Sequence, residues 1–144
     1  MIEKIVHKKK LQALIVRGSY RNKKGITFFT PNESTQQFGY MKHKKEYLVK
    51  PHLHKKRLTK ILTTTEVILI LKGVLRVDFY TQYEKYLFSK ILKKNDIIML
   101  VHGGHGFKVL KDVEMLEIKQ GPYSINKDKI KFNNVDDYKI RIKK

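Results

Sequence analysis

The chain has 144 residues, of which 41% are hydrophobic and 31% charged; that is enough for one globular core and too apolar for a disordered segment. It has no cysteine, so disulfides and thiolate metal sites are excluded, and any metal must sit on His, Asp, Glu or carbonyl oxygens. The formal charge of +19 raises nucleic acid as a partner, but only Arg17, Arg21, Arg57, Arg76 and Arg141 among the 32 basic residues carry the planar fork that base recognition favours. The lysines are spread along the whole chain, so the expectation is a solvated basic surface with no specific nucleic-acid partner. Met1–Lys10 has charge but no apolar stretch for a signal peptide, and no segment approaches the roughly 20 apolar residues of a membrane span. These features predict a soluble cytoplasmic protein with no membrane partner.

The elements follow as short apolar runs separated by turn residues. Ile5–Val6 and Leu11–Val16 read as strands, then Ile26–Phe29 between Gly25 and Pro31-Asn32. Phe38–Met41, Tyr47–Val49 and Leu53 carry the next stretch, followed by Glu66–Leu71. Lys72-Gly73 reads as a turn, and Val74–Tyr80 alternates Leu75, Val77 and Phe79 against Arg76, Asp78 and Tyr80, the second set on an outer face. Tyr86–Leu92, the turn at Lys93–Asp96, Ile97–Val101, a Gly103-Gly104 loop, Phe107–Leu110 and Met115–Lys119 complete the pattern, which Gly121-Pro122 stops. Many short strands at near-regular spacing, without a long helical period, predict an all-β barrel or sandwich. The domain is single over 1–144, with 124–144 a polar tail or an extra strand.

His52-Leu53-His54 falls on a predicted strand, where alternation points both imidazoles to one face. By itself the pair is either two surface histidines or two ligands for one cation. Glu66 is followed by six residues and then Gly73, and Asn95-Asp96 opens a strand that ends at Gly103-Gly104-His105. The segments PHLHKKRLTKILTTTEVILILKG and KKNDIIMLVHGGHGF together resemble the two cupin motifs over about Val49–Leu110. The departures are Glu46 at the first motif's glycine, eleven residues between His54 and Glu66 where the motif has three or four, Asn95 for glycine, Val101 for proline, and His105 one residue early. The stretch GITFFTP…GYM…PHLH…EVILILKG.LRVDFY…GGHGF…EIKQGPY also resembles small cupins found among surface-polysaccharide biosynthesis proteins.

The resemblance implies a cupin-like double-stranded β-helix (a jelly-roll barrel), in which His52, His54, His105 and Glu66 converge on a metal. Imidazoles with one carboxylate suit Fe, Mn, Ni or Zn. His102 is expected in a loop, and His43 and His7 on the solvated surface. Met115, Glu117 and Lys119 share a strand face, so Glu117 and Lys119 are candidates, beside an unligated Glu66, for moving a proton next to a carbonyl. That chemistry serves isomerisation or epimerisation of a sugar, sugar-nucleotide or other small oxygenated substrate; on iron the same ligands serve O₂ chemistry. A metal- or carbohydrate-binding cupin without turnover and a basic nucleic-acid-binding barrel are the other readings. A homodimer is expected, because cupins commonly pair and an open barrel leaves strand edges to cover.

Overall fold

In the computed structural model, which describes residues 1–124 and 128–144, the chain is an all-β protein. The strands are β1 (Ile2–His7), β2 (Lys10–Val16), β3 (Gly25–Phe28), β4 (Gly39–Lys42), β5 (Glu66–Tyr80), β6 (Tyr86–Lys93), β7 (Ile97–Leu100) and β8 (Gly104–Lys119). The only helical element among the described residues is a single 3₁₀ turn, Asp137–Lys139, so none is long and apolar enough to cross a membrane. Six strands form one antiparallel sheet in the order β1-β2-β7-β5-β6, with β8 on the other edge of β5; β3 and β4 form a separate hairpin.

β5 organises the sheet. Its first part, Glu66–Leu69, pairs with β7, its last part, Val74–Tyr80, pairs with β6, and β8 runs antiparallel to it throughout. The strand pair β5/β8 curls strongly. His105 is the register partner of Phe79, thirteen residues along β5 from Glu66, which would place the two about 40 Å apart on a straight strand. Yet the side chains of Glu66 and His105 touch. Three register shifts between Ile70 and Leu75 provide the bend, since each bulge kinks and twists its strand.

This corrects the turn expected at Lys72-Gly73. Gly73 sits inside β5 with φ +85°, and a Cβ there would lie 1.9 Å from the Asp112 carbonyl oxygen. The glycine bends the strand without ending it, because only glycine takes that φ freely and lets the β8 backbone approach so closely. Gly73→Ala should therefore lose more than about 2 kcal/mol of stability, readable as a lower urea midpoint. By the same continuity, Phe107–Leu110 and Met115–Lys119 are parts of one strand, β8, and Gly104 already belongs to it.

The core lies on both faces of the sheet. On β2, Ala13 and Ile15 join Ile68, Ile70, Leu75, Val77, Phe79 and Ile98 on one face, while Leu14 and Val16 join Phe29 and Met99 on the other. A strand covered on both faces reads as a continuous apolar run, as Ala13–Val16 does. The turn before β7 forms as expected. Asn95 takes the left-handed conformation (φ +68°). Asp96 accepts from Gly18 N at 2.8 Å, from Lys93 N at 3.0 Å and from Arg17 Nη1 at 2.8 Å.

Two further expectations need correction. Arg76, Asp78 and Tyr80 are buried, not outward: the polar tail crosses β6 and covers them. Ser89 N donates to Arg141 O at 2.8 Å, Lys143 N to Ser89 O at 3.0 Å and Val135 N to the Tyr80 hydroxyl at 3.1 Å. Among its described residues the tail supplies one parallel bridge, Ser89↔Ile142, and no full strand. The second correction concerns Tyr47–Val49 and the His52-Leu53-His54 segment, which form no strand. Every residue from 44 to 64 is exposed, and no hydrogen bond joins 48–62 to the rest of the described chain. Pro51 removes a ladder donor there, and among the described residues the segment pairs with no strand.

Candidate functional site

The curl of β5/β8 brings Glu66 and His105 to one cleft of about 440 Å³, bounded by Leu100–Gly103 of the β7–β8 connection, Thr63 and Thr64, and Asp128–Ile130 of the tail. Glu66 is buried (5% exposed) at the start of β5. Its Oε2 lies 3.0 Å from His105 Nε2, and its Oε1 lies 3.3 Å from Lys129 Nζ. The His105 interaction, aided by the Lys129 charge, overcomes the burial and holds the Glu66 carboxyl down to about 2 from its ordinary 4.5.

That shift has a definite sign. A carboxyl depressed in the folded state stabilises fully above its unfolded value and loses that contribution as pH falls towards the folded one. In chelator-treated protein, Glu66 should account for a loss of about 2 kcal/mol between pH 5 and pH 3. Urea denaturation of the wild type and of Glu66→Gln at those two pH values checks this. The wild type should lose that much more than the variant, which has no carboxylate at this position.

Two donors expected together, Glu66 and His105, are together. The two others are not. His52 and His54 stand on the exposed arm, their rings edge-to-face with centroids 5.2 Å apart, and His52 Nδ1 is 2.9 Å from Lys50 O. Among the described residues no cluster of three or more His, Asp or Glu side chains forms. Glu117 is exposed on β8 and does not line the cleft. Lys119 is the register partner of Glu66 and is held by Asp128, a cleft residue, at 2.6 Å; that bond raises its pKa. Lys119 therefore positions the cleft wall.

His102 lies in the loop between β7 and β8, as expected, but is not exposed there, and His43 differs from the surface position expected of it. His102 is half-buried and lines both the Glu66 cleft and a neighbouring cavity of about 270 Å³. His43 is half-buried and stacks on Tyr47 at 4.0 Å. His7 is half-buried and lines the second cavity too.

That cavity was not foreseen. Its ionisable lining, His7, Lys8, Lys10, Lys85 and His102 with Tyr83, includes no carboxylate. Two hairpins build it. Lys8 and Lys9 form the two-residue β1–β2 turn at φ +47° and +63°, a conformation usually left to Asn-Gly. Across from it, Thr81–Lys85 connect β5 to β6, with Glu84 also left-handed at φ +62°. A bulge on β2 leaves Gln12 unpaired between the partners of Ile5 and Val6. Its side chain turns inward into the cavity wall and donates from Nε2 to Tyr80 O at 3.3 Å. The Lys8-Lys9 pair between two strands was the one signal in the sequence for this cavity.

The donor pair fits a divalent ion. Glu66 Oε2 is buried and accepts no well-aligned hydrogen bond, so an acceptor lone pair is left over. Its 3.0 Å separation from His105 Nε2 is the distance between two ligands each about 2.1 Å from one ion at a right angle. Compared with family models, curated proteins and solved structures, the chain matches none.

Proposed function

We propose that this chain is a cupin-like metal-binding barrel that isomerises or epimerises a phosphorylated or nucleotide-linked sugar. The observation that carries the reading is the Glu66–His105 pair, a buried carboxylate and an imidazole side by side at the wall of a cleft large enough for a monosaccharide. Glu66 Oε2 and His105 Nε2 would hold a divalent Fe, Mn, Ni or Zn ion. Such an ion supplies Lewis-acid polarisation of a carbonyl. The chain's own residues do the rest. Lys129 offsets the Glu66 charge, and Thr63 and Thr64 present hydroxyls to the cleft. The His102 imidazole, at the junction of the two cavities, exchanges a proton at the carbon beside the carbonyl.

The neighbouring basic cavity supports the substrate class. Three lysines and two imidazoles without a carboxylate favour a phosphate or diphosphate group, while the sugar enters the Glu66 cleft. The test is deuterium wash-in from D₂O, followed by NMR, at the carbon next to the carbonyl of fructose 6-phosphate and of a nucleotide-linked keto sugar. Metal-loaded protein should wash deuterium in, and His102→Ala should slow it by about 10²–10⁴-fold. Absence of exchange on every keto sugar tried would remove the enzymatic reading.

A further inference from the structure

The arm from 44 to 64 is exposed at every residue and contacts little of its own chain, yet it is rich in aliphatic side chains. Leu48, Val49, Leu53, Leu58, Ile61 and Leu62 all face solvent. Six exposed aliphatic side chains within fifteen residues, interleaved with basic ones, mark an interaction surface. A second uncovered surface lies on β8. It is a sixteen-residue strand whose far edge is unpaired among the described residues, and Phe107, Val109, Leu110, Met115, Leu116 and Ile118 are exposed along it. A long apolar strand with a free edge invites pairing with another chain.

Charge does not oppose contact between the two surfaces. The arm's six lysines and Arg57 face a single acid, Glu46, whereas β8 balances Lys108, Lys111 and Lys119 against Asp112, Glu114 and Glu117. In a chain of +19, β8 is a strand on which a basic arm meets little net repulsion. Both ends of β8 lie at the cleft: His105 near one end touches Glu66, and Lys119 at the other end is Glu66's register partner. The chain's own arm departs past the cleft rim at Thr63 and Thr64.

We infer that two copies of this chain exchange arms, each arm lying along β8 of the other copy and delivering His52 and His54 to the other copy's Glu66–His105 cleft. The exchange is isologous, so one two-fold operation covers both apolar surfaces at once. It also completes a donor set that a single described chain leaves at two. The assignment of His52 and His54 as ligands rests on the metal reading above; the exchange of arms does not.

Mixed dimers test the inference. Differently tagged His52→Ala/His54→Ala and Glu66→Ala/His105→Ala chains are co-expressed, the heterodimer is isolated through both tags, the tags are cleaved, and Ni²⁺ binding is titrated. Each homodimeric variant should bind at least 100-fold more weakly than wild type. The heterodimer should recover one wild-type-affinity ion per dimer, because one cleft receives an intact arm from its partner. Heterodimers that recover no site would place the ligands in one chain and overturn the inference. A second measurement uses wild-type protein alone, since trypsin cuts at the arm's lysines. The arm should resist cleavage at concentrations where light scattering shows a dimer and become sensitive on dilution to monomer. An arm cleaved equally at all concentrations, or protected only when heparin is added, overturns the exchange in favour of a free or polyanion-binding arm. If wild-type protein binds no divalent ion, the metal reading fails by itself, and the trypsin result still decides the exchange.

Discussion

Asp78→Ala is expected to lose about 3–5 kcal/mol of stability, and the reason lies in what it leaves behind. Arg76 and Asp78 are both nearly fully buried beneath the C-terminal tail. Arg76 Nε donates to Oδ1 at 2.8 Å and Nη2 to Oδ2 at 3.0 Å, a two-point contact, and Ser89 Oγ donates to Oδ1 at 2.5 Å. Removing the carboxylate strands a buried guanidinium, whose remaining acid, Asp137, is exposed and 3.4 Å away. The double change Arg76→Met with Asp78→Leu should recover most of the loss, because well-packed apolar residues replace a buried pair at little cost. Urea unfolding of the single and double variants checks both statements, and a double variant as unstable as the single one would contradict the account.

The second large effect separates ligation from proton transfer at the cleft. Glu66→Ala and His105→Ala are each expected to weaken divalent-ion binding by about 100-fold or more, since either change removes half of the donor pair that the fold preassembles. Both variants should still unfold cooperatively, because the core around Phe79, Leu75 and Ile98 does not involve them. His102→Ala should leave ion affinity within a few-fold of wild type while slowing deuterium wash-in, since His102 lines the cleft but the ion-pair partners of Glu66 are His105 and Lys129. Titration calorimetry on the three variants distinguishes the roles. An equal loss of affinity in all three would remove the distinction.

The strands were legible because their chemistry is local. Leu75, Val77 and Phe79 alternate with polar residues, and Asn95-Asp96 carries its own turn and its own hydrogen-bond acceptors. The proximity of Glu66 and His105 was legible only through the motif resemblance. No local rule says that a pair of strands fifteen and sixteen residues long will curl until its ends meet; that depends on Gly73 and three bulges set by β8 packing. The arm was misread for a related reason. Tyr47–Val49 and His52-Leu53-His54 have strand-like composition, but a strand needs a partner, and among the described residues the arm pairs with no edge of its own chain. The burial of Arg76 and Asp78 likewise follows from the tail, some sixty residues away in sequence, and the alternation that marks one face of β5 as polar does not tell solvent from a polar cover.

The most direct test of the central claim is paramagnetic broadening. Substoichiometric Mn²⁺ is added to ¹⁵N-labelled, tag-free wild-type protein, and amide signals are followed along the chain. The proposed site predicts broadening centred on Glu66 and its neighbours at the start of β5 and on Gly103–Gly106 at the start of β8, where the two side chains meet. Broadening confined to the arm around His52 and His54, with β5 and β8 untouched, would contradict it.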